Sequence, residues 1–336
     1  MRKPSRREFL ETSTLAVAGG SALMAQVNAN GQIPRRPLGR TGVEVSILGV
    51  GGYHLGSAND QNEARKIVDQ AIEAGINFFD NAWEYHKGAS EEWLGAALRG
   101  KRDRVLLMTK VCTHGRDKSV AMRMLEESLH RLGTDHLDVW QIHEVIYEND
   151  PDLIFRPNGA AEALLQAKKD GKVRFIGFTG HKDPEIHLKM LSHDFPFDTV
   201  QMPLNCLDGT FRSFEHRVLS EANRRGLAVL GMKSMGGSGE LVTHGVVTPA
   251  EALRYAMSLP VAVTISGMDS VGILEQNLQI ARGFQPMDAA QMEHLRDRCR
   301  FDASDGRFEL FKTTKKYDGD LGRSQHGFPG AEDLPA

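Results

Sequence analysis

The sequence has little cysteine, few aromatic residues and almost no excess charge. Its 336 residues include three cysteines, widely spaced and without a CxxC pair, so neither a disulfide framework nor a zinc or iron–sulfur site is expected. A net charge of −3 does not suit nucleic-acid binding, which requires clustered Lys and Arg. With 40% hydrophobic and 25% charged residues, the composition is that of a globular protein rather than a disordered, collagenous or coiled-coil one.

Long apolar runs are also missing, and the best candidate for a membrane span lies near the start of the chain. Arg6 and Arg7 precede a weakly apolar, glycine-containing stretch at 15–27, shorter than the ~20 apolar residues that a membrane span needs. A possible small-residue cleavage site follows it. Residues 1–29 therefore resemble a twin-arginine (Tat) signal peptide. This resemblance predicts the Tat export machinery as a partner, no stable membrane span, and an exported, periplasmic protein.

From residue 45 the sequence alternates short apolar runs with stretches of helical periodicity. Eight runs rich in Val, Ile, Leu and Phe are typical of strands, at 45–50, 76–80, 105–109, 137–142, 173–178, 199–202, 228–231 and 261–265. Their near-continuous apolar character indicates a parallel sheet covered on both faces. The pattern predicts an α/β fold, a (β/α)8 TIM barrel, with a doubly wound open sheet as the main competitor.

The barrel is expected to occupy one domain, residues 36–285, because no repeat or low-complexity linker interrupts it. Thr248 begins the spacing of a capping box, and Gly283 fits a left-handed helix end. Residues 286–336 predict one C-terminal helix, at 288–300, followed by a loosely ordered, glycine-rich tail.

Four polar residues stand at or just after the ends of predicted strands: Asp80, Tyr85, Lys110 and His143. A barrel would bring all four to one mouth. A lysine ammonium beside a tyrosine hydroxyl would lower the pKa of the phenol, and an aspartate would hold that lysine charged and oriented. The tyrosine can then act as a general acid, while the histidine stabilises charge on a carbonyl oxygen as a hydride arrives at carbon.

The stretches around these residues resemble the aldo-keto reductases. The matching segments are AGINFFDNAWEY at 74–85, MTK at 108–110, LDVWQIH at 137–143, GKVRFIGFTGH at 171–181 and LGRTG at 38–42. The resemblance implies a catalytic tetrad of Asp80, Tyr85, Lys110 and His143, with Tyr85 as proton donor. It also implies an NAD(P)-dependent oxidoreductase that interconverts an alcohol with a carbonyl in an aldehyde, ketone or sugar. In the family, NAD(P)H lies across the carboxyl-terminal mouth of the barrel.

The same resemblance implies contacts to the nicotinamide half of the cofactor. Thr179 and Gln201 match positions that hold the carboxamide. The residue after Thr179 is usually Asn in the family and is Gly180 here, so one hydrogen bond to the amide would be missing. Met232 stands where many relatives place an aromatic ring, against which a thioether packs less well.

The phosphate and adenosine contacts implied by the resemblance lie further along the chain. They fall at Lys233, Ser234, Met235, Gly236, Gly267, Asp269, Gln276 and Asn277. Relatives that prefer NADPH usually carry Lys or Arg at the adenosine end. This chain has no basic residue between positions 267 and 277, and its Asp269 would repel a 2′-phosphate. The sequence therefore favours a weaker bias toward NADPH than the family norm, and NADH preference is the expectation.

Aromatic and imidazole side chains at predicted loop starts are expected to frame the substrate pocket. These side chains are Tyr53, His54, Trp83, His114 and His181. Such walls suit a sugar or a small aldehyde. Several histidines at one mouth can also hold a metal, but they lack a tight ligand spacing and Lys110 would repel a cation. No metal site is expected.

Two further functions are compatible with the sequence. A non-catalytic barrel could bind a nucleotide or sugar as a sensor or subunit. The export signal favours this alternative, because nicotinamide cofactor is not readily recycled outside the cytoplasm without tight binding or a redox partner. A metal-dependent isomerase or hydrolase would use the histidines at the mouth.

Overall fold

The described residues form a closed barrel of parallel strands preceded by a short hairpin. The structure, a computed structural model, describes residues 32–112, 115–320, 324, 327, 329–330 and 333. The expected export signal, residues 1–29, and the expected pocket residue His114 lie outside this part of the chain.

Eight strands close the barrel, each hydrogen-bonded to the next in chain order. They are β3 Leu48–Gly51, β4 Phe78–Asp80, β5 Leu106–Val111, β6 Leu137–Ile142, β7 Val173–Thr179, β8 Thr199–Pro203, β9 Ala228–Met232 and β10 Val263–Gly267. All neighbouring pairs are parallel, and β10 pairs with β3 to complete the ring. The predicted (β/α)8 barrel is confirmed, and closure excludes the doubly wound open sheet.

Helices follow the strands of the barrel, and those after β10 extend into the C-terminal segment. They span Gly52–Leu55, Gln61–Glu73, Ala89–Ala97, Lys118–Leu132, Asp150–Phe155, Ala160–Lys169, Pro184–Leu191, Ser220–Arg224, Glu240–Thr243, Pro249–Ser258, Val271–Arg282, Ala289–Ala303 and Leu310–Thr313. Shorter helical turns lie at Tyr85–Gly88, Arg102–Arg104 and Glu215–Leu219. In Gln61–Glu73 the buried residues recur every three or four positions, which is the spacing that turns one face of a helix toward the sheet. Among the described residues, no helix is long and apolar enough to cross a membrane.

The amino-terminal end of the barrel is plugged by the hairpin of β1 (Arg35–Pro37) and β2 (Glu44–Ser46). Leu38 and Val45 from this hairpin join side chains inside the barrel, including Phe78 and Met108, in one buried cluster. Burying such a side chain contributes about 1.5–3 kcal/mol relative to exposure. Because this end is filled, the mouth formed by the carboxyl ends of the strands is left for binding.

Several local predictions differ from the structure. The first predicted strand, at 45–50, is divided between β2 and β3, because the chain leaves the hairpin and enters the barrel within one continuous apolar run. The capping box at Thr248 is confirmed. Gly283 is not left-handed, since its φ is −86°, so that prediction is wrong. Glycine permits a left-handed helix end without requiring one.

The described part of the C-terminal tail, up to residue 320, is held by buried ion pairs. Lys312 Nζ lies 2.7 Å from Asp208 and 2.9 Å from Glu309, and all three side chains are fully buried. Asp318 lies 2.6 Å from Lys182, on the loop after β7. The tail up to residue 320 therefore lies over the carboxyl-terminal mouth.

Candidate active site

A buried lysine stands at the centre of the mouth. Lys110, near the end of β5, lies 2.5 Å from the carboxylate of Asp80, the last residue of β4. Its ammonium also donates to the backbone carbonyl of Asn81 at 2.8 Å and to the hydroxyl of Tyr85 at 3.3 Å. The ammonium of β5 thus joins an acid, a carbonyl and a phenol that all lie at or just after the end of β4.

His143 completes the group of four residues that the sequence predicted to meet. It follows β6 directly, and its ring stands edge-on to the ring of Tyr85, with 5.7 Å between centroids. The Nδ1 atom of His143 contacts a carboxylate oxygen of Glu84. The other ring nitrogen, Nε2, is therefore the one that can face a substrate.

The pKa of Tyr85 moves in the opposite direction from the sequence expectation. Burial raises the pKa of the Tyr85 phenol well above 10, and the nearby acidic groups of Asp80, Glu84 and Glu144 raise it further. Lys110 was expected to lower this pKa, but Asp80 offsets its charge. The hydroxyl therefore stays protonated at neutral pH and is ready to donate.

Two buried polar atoms suit the amide of a nicotinamide. The Thr179 hydroxyl and the Gln201 side-chain oxygen are buried and make no hydrogen bond with any described residue. Gly180 beside them cannot be replaced by the Asn common in the family, because a Cβ there would lie 2.2 Å from the carbonyl oxygen of Val145. The residues present fit the nicotinamide group, and the loss of the asparagine contact has a steric cause.

The loop expected to meet the phosphates is fastened by the C-terminal tail. The ammonium of Lys233 lies over the rings of Phe311 and Tyr317, and burial lowers its pKa to about 8. The hydroxyl of Tyr317 donates to Glu240 at 2.6 Å. The same Glu240 accepts the backbone N–H of Ser238 at 2.7 Å, so a carboxylate already occupies part of this loop.

The other positions assigned to phosphate binding lie on this loop after β9. Met232, which was assigned to the nicotinamide, ends β9 just before this loop and is half-buried. Within the loop, Ser234 and Gly236 are buried. Met235 packs against the hydrophobic core. Gly236 has a φ of 87°, which glycine adopts without strain. These positions shape the loop, and Lys233 alone among the predicted phosphate contacts carries a cationic side chain.

The predicted adenosine contacts lie at the end of β10 and in the helix that follows. Asn277 is buried and donates to the hydroxyl of Ser266 at 3.2 Å, while its side-chain oxygen makes no hydrogen bond with a described residue. Asp269 and Gln276 are exposed. Gly267 is half-buried at the carboxyl end of β10. The arrangement leaves polar groups and one carboxylate at this side of the mouth.

Two of the predicted pocket residues line the mouth beside Tyr85. The ring of Tyr53 stands edge-on to that of Tyr85 at 5.4 Å, and its side chain is 53% exposed. His54 packs so closely on Gly267 that a Cβ at the glycine would lie 2.4 Å from its Nδ1. Burial lowers the pKa of His54, with Lys233 and His86 adding to the effect against Asp269.

Trp83 contacts a helix of the barrel, whereas His181 lies buried beside the C-terminal segment. The indole N–H of Trp83 donates to Glu127 at 2.8 Å and its ring lies under Arg131, so its polar edge faces the surrounding helix, and its place in the pocket stays a prediction. A half-buried indole N–H needs a partner, which that helix supplies. His181 is buried 3.7 Å from Asp318, and burial lowers its pKa to about 4.

The sequence analysis missed residues that hold the end of β6 in place. Arg116 is fully buried and lies 3.1 Å from Asp150. Its other two nitrogens donate to the backbone carbonyls of His143 at 2.8 Å and Glu144 at 2.6 Å. In the sequence, only the position of Glu144 next to His143 could have indicated these residues. The contacts of Arg116 join distant parts of the chain, so the sequence pattern does not show them.

Several known proteins are similar to this chain in sequence. A 6-dehydroglucose reductase from Novosphingobium aromaticivorans is 30% identical over 60% of this chain and 69% of its own length. An L-galactose dehydrogenase from Arabidopsis thaliana is 33% identical over 44% of this chain and 49% of its own length. The chain spans about half the length of several curated relatives that it matches.

A solved structure supports the architecture. An aldo-keto reductase from Bacillus halodurans, in its holo form, aligns over 80% of this chain and 96% of its own, with a TM-score of 0.68. At 24% identity this likeness concerns the fold. The sequence profile of the aldo/keto reductase family matches residues 47–244, more than half of the chain. The protein therefore belongs to the aldo/keto reductase family.

Proposed function

We propose that the protein is an NAD(P)H-dependent oxidoreductase that interconverts a carbonyl and an alcohol. The observation that carries this proposal is the Tyr85 hydroxyl, held 3.3 Å from the ammonium of Lys110 at the barrel mouth. Thr179 and Gln201 would hold the carboxamide of bound NAD(P)H, which would supply the hydride chemistry. The residues of the chain then supply orientation and the proton.

Tyr85 acts as the general acid in this scheme. Its raised pKa keeps the hydroxyl protonated at neutral pH, and an alkoxide formed at the substrate carbon is a stronger base than a phenolate. As the O–H proton passes to the substrate oxygen, Lys110 stabilises the phenolate left behind. His143 faces the same oxygen with Nε2. The reverse reaction, oxidation of the alcohol, would start from the phenolate form of Tyr85.

A sugar or a small aldehyde is the substrate class that we propose. The names of the two relatives, a 6-dehydroglucose reductase and an L-galactose dehydrogenase, both refer to sugars. Tyr53 and His54 offer aromatic surface and polar edges beside Tyr85, which suits a hydroxylated substrate.

Replacing Tyr85 with Phe tests the catalytic role. We expect Tyr85→Phe to lower kcat for carbonyl reduction by about 10²–10⁴-fold, because that is the usual contribution of a positioned general acid. Binding of the cofactor should be retained. The measurement is turnover on a panel of aldehydes, ketones and sugars with NADH and NADPH in parallel.

Tyr255→Phe provides the matched control, since it removes a phenol hydroxyl that bonds to Glu215 away from the mouth. This variant should keep the wild-type rate. Full turnover in Tyr85→Phe would contradict the proposed role. A wild-type protein that binds cofactor yet turns over no member of the panel would instead favour the non-catalytic sensor.

NADH preference is the finer proposal about the cofactor. Asp269 lies at the adenosine side, and Glu63 accepts the first backbone N–H of the helix Val271–Arg282 at 3.2 Å. Both carboxylates disfavour a 2′-phosphate through their negative charge. Glu63 also accepts a backbone N–H at the start of this helix that could otherwise bind a phosphate.

Fluorescence titration with both cofactors measures this preference. NADH should bind more tightly, and Asp269→Asn should shift the ratio toward NADPH, because it removes one negative charge. The exposed Asp305→Asn is the control, since Asp305 pairs with Arg307 in the C-terminal segment. NADPH binding about tenfold tighter than NADH, or about 1.4 kcal/mol, would contradict the proposal.

We also propose that the protein is exported to the periplasm through the Tat machinery. The support is the sequence of residues 1–29, with Arg6 and Arg7 ahead of a weakly apolar stretch. An exported reductase would need a tightly retained cofactor or a redox partner. Replacing both arginines with lysine should leave the chain in the cytoplasm on cell fractionation, and unchanged export would contradict the proposal.

A further inference from the structure

A second cluster of reactive side chains lies beside Tyr85. Glu84, Cys112, His143 and Glu144 each offer one ligand atom, and these four atoms lie within 4.8 Å of one another. They follow the ends of β4, β5 and β6, three neighbouring strands of the barrel. Cys112, His143 and Glu144 are buried, while the side chain of Glu84 is 20% exposed and contacts His143.

The donor atoms of these four side chains favour one kind of metal ion. A thiol, an imidazole and two carboxylates are the donors that zinc accepts in a four-coordinate site, whereas Mg²⁺ and Ca²⁺ take oxygen ligands almost exclusively. We propose that Glu84, Cys112, His143 and Glu144 form a binding site for Zn²⁺ next to Tyr85.

The contact between Glu84 and His143 supports a cation at this point. The Nδ1 atom of His143 and both side-chain oxygens of Glu84 are buried. Nδ1 is in direct contact with one of these oxygens. The polar atoms of the two side chains therefore converge inside the cluster, where a metal ion could bind both.

The balance of charge points the same way. Lys110 was expected to repel a metal, but it is paired with the carboxylate of Asp80 at 2.5 Å. Arg116, which lies behind the cluster, is paired with Asp150. These two cations are thus already matched by other carboxylates, and the negative charge of Glu84 and Glu144 can attract a divalent ion.

Zinc binding would set the hydrogen-bonding role of His143. A metal on Nδ1 requires a deprotonated nitrogen there, so a neutral ring carries its proton on Nε2 and can donate to a carbonyl oxygen. Contact with Glu84 alone favours the opposite tautomer, with Nδ1 protonated and Nε2 accepting. The ion would also offset the acidic groups around Tyr85. These consequences rest on the proposed function, whereas the site itself does not.

Binding also requires a proton to leave. The Cys112 thiol must release its proton to solvent as the zinc–sulfur bond forms, so binding should strengthen as pH rises. No change of oxidation state is involved. Burial raises the pKa of the Cys112 thiol in the metal-free protein, and the carboxylate of Glu144 adds to the shift, so the metal has to supply the compensating charge.

The test uses full-length protein treated with a chelator and dialysed, without cofactor or substrate. Zn²⁺ should bind at one ion per chain in equilibrium dialysis. Co²⁺ in the same site should give a thiolate-to-cobalt charge-transfer band. Cys112→Ser should abolish the band and weaken zinc binding at least about tenfold, since it removes the soft ligand. Cys206→Ser, another buried cysteine, should retain both properties.

Glu84→Gln guards against a folding artefact, because glutamine has nearly the same size and shape as the 20% exposed glutamate side chain that it replaces. It should weaken Zn²⁺ binding at least about tenfold while the melting temperature of the metal-free protein is retained. Absence of stoichiometric zinc, or equal binding by wild type and Cys112→Ser, would overturn the site. Because no turnover is measured, either result is independent of whether the protein reduces carbonyls.

Discussion

The buried ion pair between Lys110 and Asp80 is the interaction on which the rest of the site depends. Two charges inside a barrel are tolerated only when they satisfy each other, and removing one partner of such a pair typically costs about 3–5 kcal/mol. The pair joins the ends of two neighbouring strands, so the closure of the barrel sets its geometry. The Tyr85 hydroxyl lies 3.3 Å from the ammonium, so its position relative to the site depends on this pair.

The surroundings of Tyr85 decide what the phenol can do. Burial and three carboxylates keep it protonated, which suits donation to a substrate oxygen and opposes the phenolate needed for the reverse reaction. The hairpin closes the opposite end of the barrel, and the C-terminal segment lies across the mouth. The chemistry is thereby confined to one partly covered opening lined by loops from several strands.

Much of the fold and part of the site could be predicted from the sequence. Eight apolar runs identified the strands, because parallel strands are buried on both faces. Asp80, Lys110 and His143 stood at strand ends, and barrel geometry gathers such positions. Glu84, Cys112 and Arg116 were missed because their roles depend on contacts across neighbouring strands. The pKa of Tyr85 was predicted in the wrong direction, since one cation was counted without the acids that surround it.

The most direct test of this account is the ionisation of Tyr85 itself in chelator-treated, cofactor-free protein. Tyrosine labelled with ¹³C at the ring carbon bearing the hydroxyl reports ionisation by NMR, and Tyr85→Phe assigns the signal. The account predicts that Tyr85 remains protonated at pH 10, where an unperturbed tyrosine (pKa about 10) is half ionised. A Tyr85 signal that titrates below the pKa of an exposed tyrosine would contradict it. In that case the charge of Lys110 would lower the pKa of Tyr85 by more than burial and the carboxylates raise it.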